Sequence, residues 1–173
     1  MEDARFERVW AAHGSAVLRY CTYSTGSSDA GEDVAAETFA RFLAKGDRIP
    51  ETHVEAWLIS VARNLCANHH RDTKHGRRLE QRLQRASVAA GETGEWVRPD
   101  SWEYVQRLDE TERLAVYLRI AEDHSFADVA RLIGKSESAA KMTFYRAIER
   151  LRRDMEHDAV SAPSTLQGGA DHV

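Results

Sequence analysis

Ser138, Lys141, Met142, Tyr145 and Arg146 fall on one arc of a helix when positions advance by about 100° per residue. Side chains of these types can donate to phosphate oxygens and touch base edges. Ala140, Phe144, Ala147, Ile148 and Leu151 gather on the other side, so such a helix can sit on a protein core while offering donors outward. Taken alone, the pattern also fits an amphipathic core helix with a solvated basic side. The preceding residues favour the first reading. Phe126, Val129, Ala130, Leu132 and Ile133 recur at roughly helical intervals, Gly134 offers the freedom of a tight turn, and Ser136 can cap the next helix. Ala130 is small where two crossing helices would approach. The stretch 125–153, SFADVARLIGKSESAAKMTFYRAIERLRR, is therefore predicted to be a helix-turn-helix with DNA as its first candidate partner.

Charge along the chain agrees with a nucleic-acid partner despite a formal net charge of −4. Residues 63–85 carry 7 basic and 2 acidic side chains, and residues 135–155 carry 6 and 3, while the rest of the chain is acidic. Two basic patches on an acidic background suggest two DNA contacts and a further surface for something else, because local charge governs phosphate affinity. With 42% hydrophobic and 30% charged residues among 173, the chain can bury a core as one domain or two small ones. No apolar run approaches the roughly 20 residues that span a bilayer, and the start, MEDARFERVW, lacks the apolar core of a signal peptide. These features lead us to expect a cytoplasmic protein without membrane insertion. Cys21 and Cys66 form no CxxC pair and are read as buried thiols. The chain shows no phosphate-binding glycine loop, nucleophile–base pair or metal-ligand spacing, which argues against an enzyme and leaves no cofactor expected.

The elements that must position these residues are helical throughout. Phe6, Val9, Trp10, His13, Val17, Leu18 and Cys21 keep helical spacing, and STGSSDAG closes that unit. A second helix is expected from about Asp29 to Ala44, followed by a loop, KGDRIPETH, with Gly46 and Pro50 as breakers. A third is expected from Val54 to about Arg78, apolar first and then basic through NHHRDTKHGRR, placed to lie on a phosphate backbone. Trp57 beside Leu58 and Val61 reads as core packing rather than a stacking platform for a base. His69, His70 and His75 read as phosphate contacts or exposed side chains rather than a metal site, because adjacent histidines on a helix point about 100° apart. Asp109 and Glu112 offer a capping pair for ERLAVYLRIA. The fold expected is all-α: two small helical domains at 1–82 and 101–155, a flexible linker at 83–100, and a disordered tail at 156–173.

In order and spacing, three segments resemble the sigma-70 family of bacterial RNA polymerase sigma factors, in its extracytoplasmic-function group. GEDVAAETFARFL resembles the family's acidic helix, HVEAWLISVARNLCANHHRD its melting helix, and the helix-turn-helix its C-terminal domain. The resemblance covers roughly residues 5–155 and implies roles at matching positions. Glu32, Asp33 and Glu37 would dock on the β′ clamp helices of core RNA polymerase, whose β subunit is a further partner. Without the resemblance, the acidic helix face would read as merely solvated, with Asp29 and Glu32 favouring its N-terminus. Arg63, Asn64, Asn68 and Arg71, with the loop at 46–55, would engage the promoter minus-ten element and capture a flipped base. Asn64, Asn68 and Arg71 stand at i, i+4 and i+7 on one helix face. Lys141, Met142, Tyr145 and Arg146 would face the minus-thirty-five element, with Ser136 and Ser138 available for phosphate. Relatives are commonly held inactive by an anti-sigma factor, which is a possible partner here. Asp109 stands where the family often has proline, Ala36 replaces a glutamine, and Met142 puts an apolar side chain in the reading face. An ordinary helix-turn-helix regulator would account for the C-terminal half equally well, but not for the acidic helix followed by a basic one.

Overall fold

The computed structural model describes residues 3–83 and 102–161, which form seven α-helices and no strands. In chain order these are α1 (Asp3–Thr25), α2 (Ser28–Lys45), α3 (Val54–Leu83), α4 (Trp102–Val105), α5 (Glu110–Ile120), α6 (Phe126–Ile133) and α7 (Glu137–Ser161). The all-α expectation therefore holds. The expected linker lies almost entirely outside the described residues, as does the tail beyond residue 161.

Local chemistry explains where the helices begin and stop. Ser27 caps α2 by accepting from the Ala30 N–H at 3.3 Å. Gly31 lets α1 and α2 cross closely: a Cβ there would lie 2.7 Å from the Thr22 backbone. The expected loop after α2 is tightened into two 3₁₀ turns, Gly46–Arg48 and Glu51–His53. Arg5 of α1 holds it by donating to the carbonyls of Gly46 at 2.8 Å and Ile49 at 2.6 Å. Asp109 and Glu112 form a full capping box at the start of α5. Ser125 caps α6 through the Asp128 N–H at 3.1 Å. Gly134 ends α6 at φ 70°, with the Lys135 N–H closing back to the Ala130 carbonyl at 2.9 Å. Ser136 then accepts from the Ala139 N–H at 3.3 Å to start α7.

Two boundaries moved. The third helix runs five residues past the expected Arg78, to Leu83. The last helix continues to Ser161, so residues 156–161, expected to begin a disordered tail, are helical. Arg107 supplies a reason: its guanidinium reaches Asp154 at 3.9 Å and Asp158 at 2.9 Å, one helical turn apart on α7.

The two halves are in contact and share a core. Val17, Tyr20 and Cys21 of α1, Phe39 and Phe42 of α2, and Leu58, Ile59, Ala62 and Cys66 of α3 form one buried cluster. That cluster continues into Leu114, Tyr117 and Leu118 of α5 and Leu132 and Ile133 of α6. A smaller cluster, Leu108, Val116 and Ala147 with Phe144, Ile148 and Leu151 packed on it, fixes α7 to α5. Burial of apolar side chains such as these, worth about 1.5–3 kcal/mol each, positions every surface described next.

Candidate nucleic-acid interface

The α6–α7 pair presents the basic arc outward. Ser136, Ser138, Lys141, Met142, Tyr145 and Arg146 are all exposed, while Ala140 and Ala147 on the opposite side are fully buried. Met142 and Tyr145 keep 53% and 59% of their surface open. Phe126 anchors the arc: its ring lies 5.5 Å from Phe144 and 5.9 Å from Tyr145, centroid to centroid. Lys141 Nζ sits 5.8 Å over the same ring and pairs with Glu137 at 2.8 Å. Arg119 covers Phe126 from α5 at 5.2 Å. Arg150 ties the back of α7 to Glu112 of the capping box at 2.5 Å. An open face of two cations, a phenol and a thioether on a firmly seated helix can contact phosphates and base edges.

The other polar line runs along α3. Asn64, Asn68 and Arg71 are exposed, and Arg71 donates to the Asn68 side-chain carbonyl. Arg63 is half-buried and directed elsewhere, its Nη1 donating to the Ile133 carbonyl at the end of α6, 3.4 Å away. Trp57 packs on Phe42 with centroids 5.9 Å apart, consistent with a core role. His70 departs from its expected exposure to phosphate. It turns inward, with Nε2 2.6 Å from Arg113 Nη1 and 3.7 Å from Glu110 Oε2. Only the tertiary partner on α5 reveals this. The His75 side chain lies outside the described residues, and among those described no group of three or more histidine, cysteine or acidic residues is arranged to hold a metal.

On α2, Glu32, Asp33 and Glu37 are exposed, with Glu37 paired to Arg41 at 2.8 Å. Glu32 also borders a groove of about 310 Å³ lined by Trp10, Gly14, Leu18, Ala35 and Ala36. Cys21 and Cys66 are both fully buried, and a hydrogen bond to Cys66 together with burial pushes the Cys21 thiol up. Thiolate formation is suppressed at Cys21, and both thiols are packed inside the core.

The polar centre between the halves gave no sequence signal. Glu110 Oε1 accepts from Tyr20 Oη and Ser24 Oγ, both at 2.6 Å, and Glu110 Oε2 accepts from Arg113 at 2.7 Å. Burial, followed by the Glu110 charge, pushes the Tyr20 phenol well above its ordinary value and keeps it a donor. Burial likewise moves Tyr23 up to about 12. No helix among the described residues is long and apolar enough to cross a membrane.

Comparison with known proteins places this geometry. Residues 9–76 match the family described as Sigma-70 region 2, and residues 102–151 match Sigma-70, region 4. The chain is 30% identical over 166 residues to the ECF RNA polymerase sigma factor BldN of Streptomyces coelicolor, across 91% of this chain and 63% of that relative. It thus spans under two thirds of the length of that relative. It is 28% identical over 155 residues to the RNA polymerase sigma factor CarQ of Myxococcus xanthus, across 87% of this chain and 88% of that one. In fold it is similar to the sigma factor RpoE of Bartonella quintana, solved with the anti-sigma factor NepR. That likeness has a TM-score of 0.58 at 20% identity and covers 88% of this chain and 97% of the other.

Proposed function

The chain belongs to the sigma-70 family of RNA polymerase sigma factors, in its extracytoplasmic-function group, and from that membership we propose that it directs core RNA polymerase to promoters and helps open them. Sigma factors regulate initiation without being enzymes. In this reading the chain contributes no catalytic residue and the polymerase performs the chemistry. The observation that carries the reading is the pairing, in one chain, of matched regions 2 and 4 with an exposed polar line on α3 and an exposed basic arc on α7.

Each surface then has a role. Lys141, Met142, Tyr145 and Arg146 read the minus-thirty-five element while Ser136 and Ser138 hold phosphate. Lys141 and Arg146 can serve phosphate or guanine, and Met142 favours contact with a thymine methyl. Arg63, from its half-buried place against the Ile133 carbonyl, joins Asn64, Asn68 and Arg71, exposed along α3, and this line acts at the minus-ten element. There, unstacking a base costs a few kcal/mol, and polar edges with cationic backbone contacts can offset it. Glu32, Asp33 and Glu37 dock on the β′ clamp helices, with the β subunit as a second contact. The protein acts in the cytoplasm, where the polymerase is. An anti-sigma factor is a further partner, as NepR is for the Bartonella protein.

Run-off transcription with purified core polymerase tests this reading. A transcript that starts at a selected promoter and depends on the added protein is expected. Tight duplex binding by the protein alone, with no transcript from any selected promoter, overturns the reading in favour of an ordinary regulator.

A further inference from the structure

One side chain from another helix grips the loop between α2 and α3. Arg5 stands in the first turn of α1. Its guanidinium donates through Nη1 to the Gly46 carbonyl at 2.8 Å and through Nη2 to the Ile49 carbonyl at 2.6 Å. Nη2 also lies 3.2 Å from Glu51 Oε2, and the guanidinium carbon sits 5.8 Å from the centroid of the Phe42 ring. The side chain is 18% exposed, so its donors act inside the protein. A cation in the first turn of a helix faces the positive end of the helix dipole. Local preference does not favour Arg5 there, whereas its carbonyl partners 41 and 44 residues away do.

The loop consists of two short turns, and Arg5 touches both. The Ile49 N–H closes the first on the Gly46 carbonyl at 3.0 Å, and the His53 N–H closes the second on the Pro50 carbonyl at 2.9 Å. Arg5 meets Gly46 in the first turn, Ile49 at the junction and Glu51 in the second. Gly46 is buried and Ile49 packs on the core, while Arg48, Pro50, Thr52 and His53 are exposed. Thr52 Oγ1 and His53 Nδ1 lie 3.0 Å apart. The loop thus turns two carbonyls inward and shows a cation, a hydroxyl and an imidazole outward. Groups of these types can meet the polar edge and flanking phosphates of an unstacked base, provided that the turns keep their shape. A planar guanidinium holds several acceptors in one fixed fork, which the point charge of a lysine cannot do.

We propose that Arg5 is a positioning residue for minus-ten recognition: it fixes the two turns of the α2–α3 loop against each other, so that the loop meets an unstacked base already ordered. The cost of ordering then falls on folding instead of on binding, which is how preorganisation raises affinity. Arg5 acts through the loop and is not itself a DNA contact. The inference rests on the promoter-directing reading above, with the loop at the minus-ten element.

The test uses Arg5→Lys in the full chain, which keeps the charge and loses the fork. Hydrogen exchange of the free protein reads the loop directly. Arg5→Lys is expected to speed exchange of the amides at 46–53 while the middles of α2 and α3 stay protected. With core polymerase, transcription is compared on a selected promoter and on its single-base variants in each element, as duplex and with the minus-ten region already unpaired. Preference for the selected base at one or two minus-ten positions should fall about fivefold to thirtyfold, the worth of one or two charge-assisted hydrogen bonds. The fall should persist on the unpaired template, and preference at the minus-thirty-five element should not change. A merely structural role would lower transcription from every template alike and leave both preferences intact.

Loop exchange as slow as in the native chain overturns the positioning role, as does an unchanged minus-ten preference beside a native chain that discriminates. A uniform loss across templates, or an Arg5→Lys chain that loses helicity, overturns it too, because either makes Arg5 a folding residue. Faster loop exchange in Arg5→Lys beside a native chain that itself gives no promoter-dependent transcript overturns the promoter reading and the positioning role with it.

Discussion

Replacing Arg113 by methionine should destabilise the whole molecule more than any change on its DNA-facing surfaces. The Arg113 side chain is 4% exposed and the Glu110 carboxylate beside it 12%, so neither is well hydrated. Arg113 donates to Glu110 at 2.7 Å, to the carbonyls of Leu108 at 2.9 Å and Gln106 and Val105 at 3.3 Å, and to Ser24 at 3.4 Å. Methionine fills similar space but leaves a largely buried carboxylate without its cation and three carbonyls short of a donor. Breaking a buried pair from one side costs about 3–5 kcal/mol. At about 2–4 °C per kcal/mol for a chain of this size, the midpoint of thermal unfolding should fall by about 6–20 °C. Adding Glu110→Gln removes the stranded charge, so the double variant should recover at least about 1 kcal/mol relative to the sum of the single changes. Urea unfolding followed by far-ultraviolet circular dichroism measures all three. A loss below about 1 kcal/mol for Arg113→Met, or strict additivity in the double variant, would refute the reasoning. Because α1, α3 and α5 meet at this centre, the loss should also appear as one transition spanning both halves.

Reversing the acidic face with Asp33→Lys and Glu37→Lys should weaken co-purification with core polymerase while leaving helicity unchanged; undiminished binding rejects the docking assignment. Replacing Lys141 and Arg146 by alanine should lower the slope of log affinity against log salt by about two and relax minus-thirty-five selection; unchanged promoter choice rejects the reading face. Hydrogen bonds from Arg19 and Tyr117 hold the Glu122 carboxyl below its ordinary value despite burial. A carboxylate depressed in the folded state stabilises above its unfolded value, about 4.3, and loses that contribution as pH falls through the lower folded one. The melting-temperature gap between the native chain and Glu122→Gln should therefore be flat from pH 7 to 5 and narrow progressively as pH falls below about 4.3. A gap that stays constant as the pH is lowered from 5 to the acid limit of folding contradicts the assignment.

The helices were legible because their ends are chemical. The Asp109–Glu112 pair, Gly134 and Ser136 each close a hydrogen bond with a near neighbour, so a local reading finds them; the caps at Ser27 and Ser125 are equally local and went unread. The outward side of α7 was legible for a related reason, since buried Ala140 and Ala147 repeat at helical spacing. The contacts between the halves were not. Tyr20 and Glu110 are 90 residues apart and Arg19 and Glu122 are 103 apart, and no periodicity couples such positions. His70 illustrates the gap: among basic neighbours it read as a phosphate contact, yet α5 gives it a buried partner. The length of α7 was hidden similarly, because Asp158 looks like a tail residue until Arg107 is brought beside it.

The central claim is that this chain gives core polymerase a two-element promoter specificity. Selection of transcribed sequences from a random duplex library, with the protein and core polymerase together, tests it most directly. The account predicts enrichment of two short motifs at a fixed spacing upstream of a common start point, with the upstream motif lost when Lys141 and Arg146 are replaced by alanine. Enrichment of a single motif bound equally well without polymerase, or no enrichment above core polymerase alone, would contradict it.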